Sequence, residues 1–448
     1  MTEIIRYILR FMAGEQLAAD VSGLVGYTSD ESSFSGYKVV IIPSGFFDEG
    51  VYGTAKTIPS APLMNIDGIP FLFGAPDVER AGDTIVVHAD LVASAYFLLS
   101  RYEEILHREL RDEHGRFPGR ESLPHRAGFI DRPVVDEYGK LIRKWLKSNG
   151  VNVGEQVPFI RKINLTHDVD VPFTGRSWKS VARKIGSGRN PIAVIREKYA
   201  PLEQNPYYTF PWMLEQDRNL QNAAGAGRCR SILFFRAGGK LRQDRPHYNL
   251  RGKDIRSLYS LCKHYGATIG LHSSYQAGRE PSLILSEKKK LEDTFEIEIR
   301  HNRHHFLSVR EPEDMEYLEK AGITDDYTIG YADIAGFRLG TSRPVKYINP
   351  VTCRLSPLTL HPLTVMDSTL SETKYMNLTC AQAEEYCTKL IADTRNANGD
   401  LTLLWHNTSA VEGNTYLRSL YGKITNTCKD TPFGHLYGYG YGYTERNQ

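Results

Sequence analysis

The length, composition and charge of the chain exclude several classes of protein. At 448 residues the chain is longer than one ordinary domain, and roughly two or three domains are expected. Its 41% hydrophobic and 24% charged residues are typical of a globular protein with a large core. The formal net charge of +2 creates no global field that would attract nucleic acid or an anionic membrane, so the expected partner is a small molecule.

The sequence carries no feature of an exported or membrane-spanning protein. Arg6 and Arg10 interrupt the apolar positions of the amino terminus, which an export signal would not tolerate. No run of about eighteen apolar residues occurs, so no transmembrane segment is expected. The six cysteines include no CxxC pair and are expected to be reduced, mostly buried thiols. These features together predict a cytoplasmic protein, and none of them fixes its oligomeric state.

Residues 1–155 are predicted to form a smaller N-terminal α/β domain whose role the sequence does not reveal. Short strand-like runs at 37–42, 70–73 and 84–88 are separated by Gly, Pro and Ser clusters. A helix is predicted after Asp90 and another over 134–146. Glu103 and Glu104 are interpreted as a solvated helix end, so no catalytic site is predicted in this part.

From residue 156 to 448, strand and helix patterns alternate in the manner of parallel β/α units. Helices are predicted over 252–265, 282–295 and 380–395. Strands are predicted over 159–166, 230–236, 267–272, 297–306, 335–341, 358–366 and 400–406. Seven parallel strands without a polar edge indicate a closed or nearly closed barrel, in which the chemistry is expected at the carboxyl ends of the strands. Residues 434–443, near the carboxyl terminus, alternate Tyr with Gly and are expected to be a mobile segment.

Each predicted strand ends in a polar side chain, and these ends should meet at one rim of the barrel. The side chains are His167, Asp168 and Asp170, then Arg236, His272, His304 and His305, Arg338, Asp367 and His406. Any one of them could be a structural residue. Their coincidence at equivalent positions favours a functional site.

The first strand end indicates either a metal site or an acid–base site, because two neighbouring carboxylates are costly unless a cation neutralises them or one keeps a proton. A hydrolytic Zn²⁺ takes three His or carboxylate ligands and leaves one position for water. Asp170, His272 and either His304 or His305 would supply them. Adjacent strand residues point to opposite faces, and His305 is the preferred ligand. Asp168 is the candidate base that takes the proton of the water.

Six short motifs occur in residues 156–430. They are Thr166–Asp170, Gly270–Tyr275, Arg303–Phe306, Gly336–Gly340, Met366–Asp367 and Leu404–Asn407. They have the order of the motifs of the polysaccharide deacetylases, carbohydrate esterase family 4, and this part of the chain resembles that family, including a bacterial branch with a similar N-terminal extension. The resemblance implies a distorted (β/α)₇ barrel and metal-dependent removal of acyl groups from N-acetylated sugars.

The resemblance also implies roles for single residues. Asp168 matches the catalytic base, His272 a metal ligand and Arg338 the arginine that orients the base. Asp367 matches the aspartate that tunes the acid, and His406 the histidine that protonates the leaving group. Two departures from the family pattern stand out: Val169 separates the two aspartates of the first motif, and Gln276 replaces the second metal histidine. His305 is therefore the proposed third ligand.

Three functions remain open from the sequence. The first is a carbohydrate N-deacetylase that acts on a sugar or a lipid-linked precursor with Zn²⁺, Ni²⁺ or Co²⁺. The second is a metal-dependent hydrolase of another amide or an ester. The third is a carbohydrate-binding barrel without catalysis. Among the aromatic residues near the rim, Tyr275 and Trp405 are the candidates for stacking on a sugar ring.

Overall fold

A four-stranded sheet and a nine-stranded sheet organise the protein. The computed structural model describes residues 1–14, 21–155, 157–225 and 227–429. The predicted Tyr/Gly tail at 434–443 lies outside these ranges. No helix in the described ranges combines the length and the apolar character that crossing a membrane requires. All six cysteines are free, and four of them are buried.

The smaller sheet lies in the first 150 residues. The elements of this part are α1 (Thr2–Ala13), α2 (Val21–Leu24), β1 (Val25–Tyr27), β2 (Val39–Ile41), β3 (Met64–Ile66), β4 (Ile69–Phe71), β5 (Gly74–Ala81), β6 (Thr84–Ala89), α3 (Leu91–Leu99), α4 (Tyr102–Leu106), α5 (Leu123–Arg126) and α6 (Val134–Ser148). Strands β1, β2 and β6 run parallel, and β5 pairs with β6 as an antiparallel edge strand. Helix α1 buries Ile4, Ile8 and Met12, each one turn apart, and packs against α6.

The larger sheet spans the rest of the chain. Its strands and helices are β7 (Lys162–Val169), α7 (Trp178–Gly186), α8 (Pro191–Tyr199), α9 (Phe210–Ala224), β8 (Cys229–Phe235), α10 (Lys253–His264), β9 (Thr268–Ser273), α11 (Ile284–Phe295), β10 (His301–His304), α12 (Glu316–Lys320), β11 (Asp325–Asp326), β12 (Val345–Asn349), β13 (Arg354–Leu360), β14 (Val365–Met366), α13 (Asp367–Ser371), α14 (Cys380–Asn396), β15 (Asp400–Leu404) and α15 (Thr415–Lys429). The strand order is β12-β13-β11-β10-β9-β8-β7-β15-β14, and only β12 and β13 pair antiparallel.

A contact across the concave face shows that this sheet curls like part of a barrel. The ring of Tyr327, just after β11, lies 5.6 Å from the ring of Phe234 on β8. Two strands separate β8 from β11, and in a flat sheet the strands would stand roughly 14 Å apart at the usual spacing. The fold is therefore α/β with a curled sheet, as the sequence indicates.

The strand prediction for this sheet is only partly correct. Residues 335–341 form no strand, because the backbone N–H of Phe337 donates to Ile130 in the N-terminal part. The short β11 lies between β10 and β13 instead. The predicted strand 358–366 is split by an irregular segment that contains Pro362, which has no N–H for a sheet. Strand β12 was not predicted, so the count of seven is not reproduced.

Alternate side chains of β7 point to opposite faces of the sheet, one toward the hydrophobic core and one toward the candidate site. Ile163 and Leu165 face the helices and join a core formed with α9, α14 and α15. Asn164, Thr166 and Asp168 lie on the opposite, concave face, where Asn164 and Thr166 contact β15 and Asp168 contacts β10. A second core runs without a break from the N-terminal sheet into the larger part. The domain boundary near residue 155 stays a prediction.

Candidate functional site

The two aspartates of the first motif share the concave face because one residue separates them. Asp168 ends the interior row of β7, and Asp170 follows one residue beyond the strand. The side chain of Asp168 is buried, whereas that of Asp170 is 24% exposed. His167 points the other way, and its Nε2 lies 3.0 Å from Asp217 Oδ2 in the helix layer. His167 therefore does not take part in the rim, contrary to the sequence-based prediction.

His272, at the end of β9, has its tautomer fixed by the backbone. Its Nδ1 lies 2.9 Å from the carbonyl oxygen of Arg303, and a carbonyl only accepts hydrogen bonds. Nδ1 therefore carries the proton, and Nε2 faces the aspartates with its lone pair. Nε2 lies 3.1 Å from Asp170 Oδ1 and 3.6 Å from Asp168 Oδ2. Burial lowers the pKa of His272, but the charges of these carboxylates outweigh burial and raise it.

His305 is held in the same manner by a carboxylate. Its Nδ1 lies 3.0 Å from Oδ1 of the fully buried Asp244, and its Nε2 lies 3.4 Å from Asp170 Oδ1. Asp244 also accepts the backbone N–H groups of Tyr275 and Gln276. His304 faces away from the site, with its Nδ1 3.1 Å from Asn302. The alternation argument for His305 thus agrees with its position.

The donor atoms of Asp170, His272 and His305 all lie within 4.8 Å of one another. Within the described ranges, Asp170 Oδ1 and His272 Nε2 are buried and have no hydrogen-bond partner. Two acceptors 3.1 Å apart repel each other unless a cation lies between them. That cation is either a proton or a metal ion. Two neutral imidazoles and one carboxylate match the ligand set of a hydrolytic Zn²⁺ site, so the residues fit a divalent metal.

Arg303 on β10 holds Asp168, which the sequence analysis missed. Its Nη1 donates to Asp168 Oδ1 at 3.2 Å and to Thr166 Oγ1 at 2.7 Å, and the side chain has no exposed surface. Arg303 lies two residues before His305 and so shares its face of the sheet. That spacing is the signal in the sequence that could have identified it.

Arg338, predicted to orient Asp168, instead pairs with the N-terminal part of the chain. Its Nη2 donates to Glu104 Oε1 at 2.6 Å, and its Nη1 donates to the carbonyl oxygen of Gly330. Arg101 binds the same carboxylate, and all three side chains are buried. Glu103 is buried as well, with Leu123 N–H and Arg126 as donors. The prediction of a solvated helix end at Glu103 and Glu104 was wrong, because this helix end is covered by the larger part of the protein.

His406 and Asp367 form a second carboxylate–histidine pair across the mouth of the site. Nδ1 of His406 lies 2.8 Å from Asp367 Oδ1, and the His406 backbone N–H donates to Asp367 Oδ2 at 2.7 Å. Nε2 of His406 faces Asp170 Oδ2 at 3.7 Å. Burial lowers the pKa of His406, but the charge and hydrogen bond of Asp367, together with the charges of Asp170 and Asp168, outweigh burial and raise it to about 10. His406 is therefore a cation at neutral pH in the protein without metal.

Neither predicted sugar-stacking residue is exposed. Trp405 points into the helix layer with Leu401 and Leu403, because it precedes the inward-facing His406 by one residue. Tyr275 is buried, and its ring packs against Phe306. Phe306 is the exposed aromatic at this rim, and its ring centroid lies 4.6 Å from that of His305. Phe306 also has a positive φ of 60°, an unfavourable conformation for a bulky residue.

The N-terminal part supplies one wall of the site. The ring centroid of His114 lies 4.7 Å from that of Phe306, and Arg116 Nη1 donates to the Phe306 carbonyl oxygen at 2.9 Å. Ser308 in turn donates to the carbonyl oxygen of His114. The loop that follows His305 is thus held from outside by residues 114–116.

Comparisons with known proteins found one family model and similar solved structures. Residues 1–150 match the model of DUF7033, a family of unknown function. No curated protein matches the chain. One solved structure similar to it is described as a "putative polysaccharide deacetylase from Mycobacterium smegmatis". It is 14% identical, covers 61% of this chain and 86% of its own, and has a TM-score of 0.37.

Proposed function

We propose that this protein is a metal-dependent hydrolase that removes an acyl group, typically acetyl, from an N-acetylated sugar or polysaccharide precursor. The observation that carries the proposal is the convergence of Asp170, His272 and His305 beside Asp168 and His406. Two of the converging atoms are buried without a hydrogen-bond partner in the described part of the chain, as expected for ligands of a cation. The proposed metal is Zn²⁺, with Ni²⁺ or Co²⁺ as substitutes.

When bound, a divalent metal would polarise the substrate carbonyl and make water acidic at neutral pH. Asp170, His272 and His305 would hold it. Asp168 would accept the proton of the attacking water; its Oδ2 lies 3.6 Å from His272 Nε2, and the carboxylate is not itself among the three ligands. Arg303, which also donates to Thr166 Oγ1, fixes the orientation of Asp168 through Oδ1 and leaves Oδ2 for that proton.

His406 is the proposed acid. In the protein without metal, Asp367 stabilises its imidazolium form and holds its pKa above neutral. Its Nε2 lies at the open side of the site and would donate this proton to the departing amine. Asp367 accepts from Nδ1 and from the backbone, so the ring cannot rotate away from the mouth.

We propose a carbohydrate as the substrate because the motifs resemble those of the polysaccharide deacetylases. Phe306, exposed beside His305, takes the place of Tyr275 and Trp405 as the proposed contact for a sugar ring. The six free cysteines support a location in a reducing compartment, which we propose to be the cytoplasm.

Metal content tests the proposal directly. Protein purified without chelator is expected to hold one divalent metal per chain by mass spectrometry. His272→Ala should lose that metal, because it removes one of three ligands. His264→Ala, on the exposed side of α10, is the matched control and should keep it. Wild-type protein that holds no metal after incubation with Zn²⁺, or a His272→Ala variant that retains it, would overturn the metal site.

Acetate release then separates the three functions. Metal-loaded protein is expected to release acetate from a panel of N-acetylated sugars, and His272→Ala should not. Release only from esters or from acetylated peptides would replace the proposed substrate. Sugar binding without release of acetate would indicate a binding barrel.

A substitution of Asp244 is expected to change metal affinity without changing any of the three proposed ligands. Asp244→Asn weakens the acceptor for His305 Nδ1, so the ring loses its fixed orientation. Changes at such supporting positions typically cost about 10–100-fold in metal affinity, and we expect a loss of this size. Competition with a metal-binding dye measures it. Asp333→Asn, which alters a carboxylate that accepts from Gly119 and Arg120 N–H groups, is the control. An unchanged affinity in Asp244→Asn would contradict the assigned role.

A further inference from the structure

A helical hairpin projects from the edge of the larger sheet that carries the candidate site. It consists of α7 and α8, which pack mainly on each other. The hairpin follows Asp170 directly along the chain and precedes α9, so it leaves the sheet at the carboxyl end of β7. In each of its helices only one side chain, Val181 or Val194, is buried. The outer surface of the hairpin therefore contributes little to the core of the protein.

This outer surface is unusually apolar for an exposed element. Ile192 is 72% exposed, Tyr199 66% and Trp178 62%, and Ile195 is exposed as well. Ile192, Ile195 and Tyr199 are spaced three and four residues apart, so they form one stripe along α8. The ring of Trp178 from α7 lies 6.3 Å from that of Tyr199 and extends the stripe. The buried Val194 lies on the opposite side of α8.

Positive charge surrounds this apolar stripe. Residues 176–199 contain seven Lys and Arg and one Glu, a net charge of +6, whereas the whole chain carries +2. Arg196 and Lys198 flank the stripe on its two sides, and Lys198 Nζ lies 4.8 Å from the Trp178 ring. Within the described ranges, Lys179, Arg183 and Arg196 have no carboxylate within 4.0 Å. The charge is therefore available to an external partner.

A hollow beside α8 offers a place for a phosphate group. It has a volume of about 300 Å³ and is lined by Arg176, Arg196, Glu197 and Gln204, among others. Lys184 and Arg189 pair with the Glu197 carboxylate and neutralise it. Nη2 of Arg176 is buried and has no hydrogen-bond partner among the described residues. Arginine presents paired donors that match the geometry of phosphate.

From these features we infer that the hairpin docks on the surface of an anionic lipid bilayer. Exposed Trp, Tyr and Ile side chains in a basic setting are the mark of helices that lie in the membrane interface. The exposed aliphatic side chains of Ile192 and Ile195 favour a lipid partner over nucleic acid, because nucleic acid offers phosphates and stacked bases but no aliphatic surface. Docking would bring the rim that carries Asp170 and His406 close to the bilayer. If the proposed function holds, the substrate would then be presented at the lipid surface.

The full chain and extruded vesicles test this inference by co-sedimentation. Binding is expected to vesicles of phosphatidylcholine with one-third phosphatidylglycerol, to weaken as salt is raised, and to be absent with phosphatidylcholine alone. Two variants should each weaken binding at least ten-fold. The charge variant combines Lys179→Gln, Arg183→Gln and Arg196→Gln, and the apolar variant combines Trp178→Ala, Ile192→Ser and Tyr199→Ala.

Matched controls change the same chemistry elsewhere on the surface. The charge control combines Lys140→Gln, Lys147→Gln and Lys289→Gln, and the apolar control combines Leu285→Ser and Val351→Ser. Both should bind vesicles as the wild type does, and so should His272→Ala. Vesicle binding therefore tests this inference independently of the proposed metal site. Equal binding to neutral vesicles, undiminished binding by both hairpin variants, or binding to an RNA oligonucleotide and not to vesicles would overturn it.

Discussion

Asp168→Asn is expected to abolish most turnover while the metal stays in place. The amide cannot accept the proton of the attacking water, and loss of a general base typically lowers the rate by about 10²–10⁴-fold. Asp170, His272 and His305 remain as ligands, so metal content should be unchanged. The measurements are kcat for acetate release from the best N-acetylated sugar and metal content of the same preparation.

Asp333→Asn serves as the control for Asp168→Asn and should keep the wild-type kcat, because Asp333 is not among the metal ligands and accepts the backbone N–H groups of Gly119 and Arg120. A wild-type rate in Asp168→Asn would remove Asp168 from the role of base. Simultaneous loss of activity and metal would instead place Asp168 among the ligands. The two outcomes are distinguishable because both quantities are measured on one sample.

Glu104→Gln is expected to destabilise the whole protein by about 3–5 kcal/mol, the usual cost of breaking a buried ion pair on one side. The variant leaves the guanidinium groups of Arg101 and Arg338 buried without a counter-charge. Glu104 belongs to the N-terminal part and Arg338 to the larger part, so both should unfold in one transition at a lower denaturant concentration. Urea unfolding followed by circular dichroism measures the change in free energy of unfolding.

The same pair predicts a dependence on pH. Burial raises the pKa of Glu104, but Arg101 and Arg338 outweigh burial and lower it to about 2. A depressed folded-state pKa stabilises the protein above the unfolded value of about 4.3, and this stability is lost as pH falls toward 2. The difference in free energy of unfolding between the wild type and Glu104→Gln should therefore become smaller below about pH 4. Glu384→Gln, which breaks an exposed pair with Lys423, should cost less than about 1 kcal/mol. If Glu104→Gln and Glu384→Gln lowered the free energy of unfolding by similar amounts, the proposed stabilising role of the buried Glu104 ion pair would be contradicted.

The arginine beside Asp168 shows where motif matching fails and strand geometry succeeds. The order of motifs assigned this role to Arg338, but residues 335–341 form no strand and Arg338 turns toward Glu104. Arg303 reaches Asp168 because it lies on the inward-facing side of β10, two residues before His305, which follows the end of that strand. Trp405 is excluded from the site by the same alternation that places His406 within it.

The sequence by itself determined the alternating β/α pattern, the strand that ends in Asp168 and Asp170, and the choice of His272 and His305 as their partners. These follow from local rules, namely hydrophobic periodicity and the two-residue alternation of a strand. Only the tertiary structure decided which arginine meets Asp168, that Glu104 is buried, that β11 and β12 join the sheet, and that the hairpin of α7 and α8 remains uncovered. These contacts join residues that are far apart in the sequence, 135 positions for Arg303 and Asp168 and 234 for Arg338 and Glu104. A local sequence pattern does not reveal which of such distant residues meet in space.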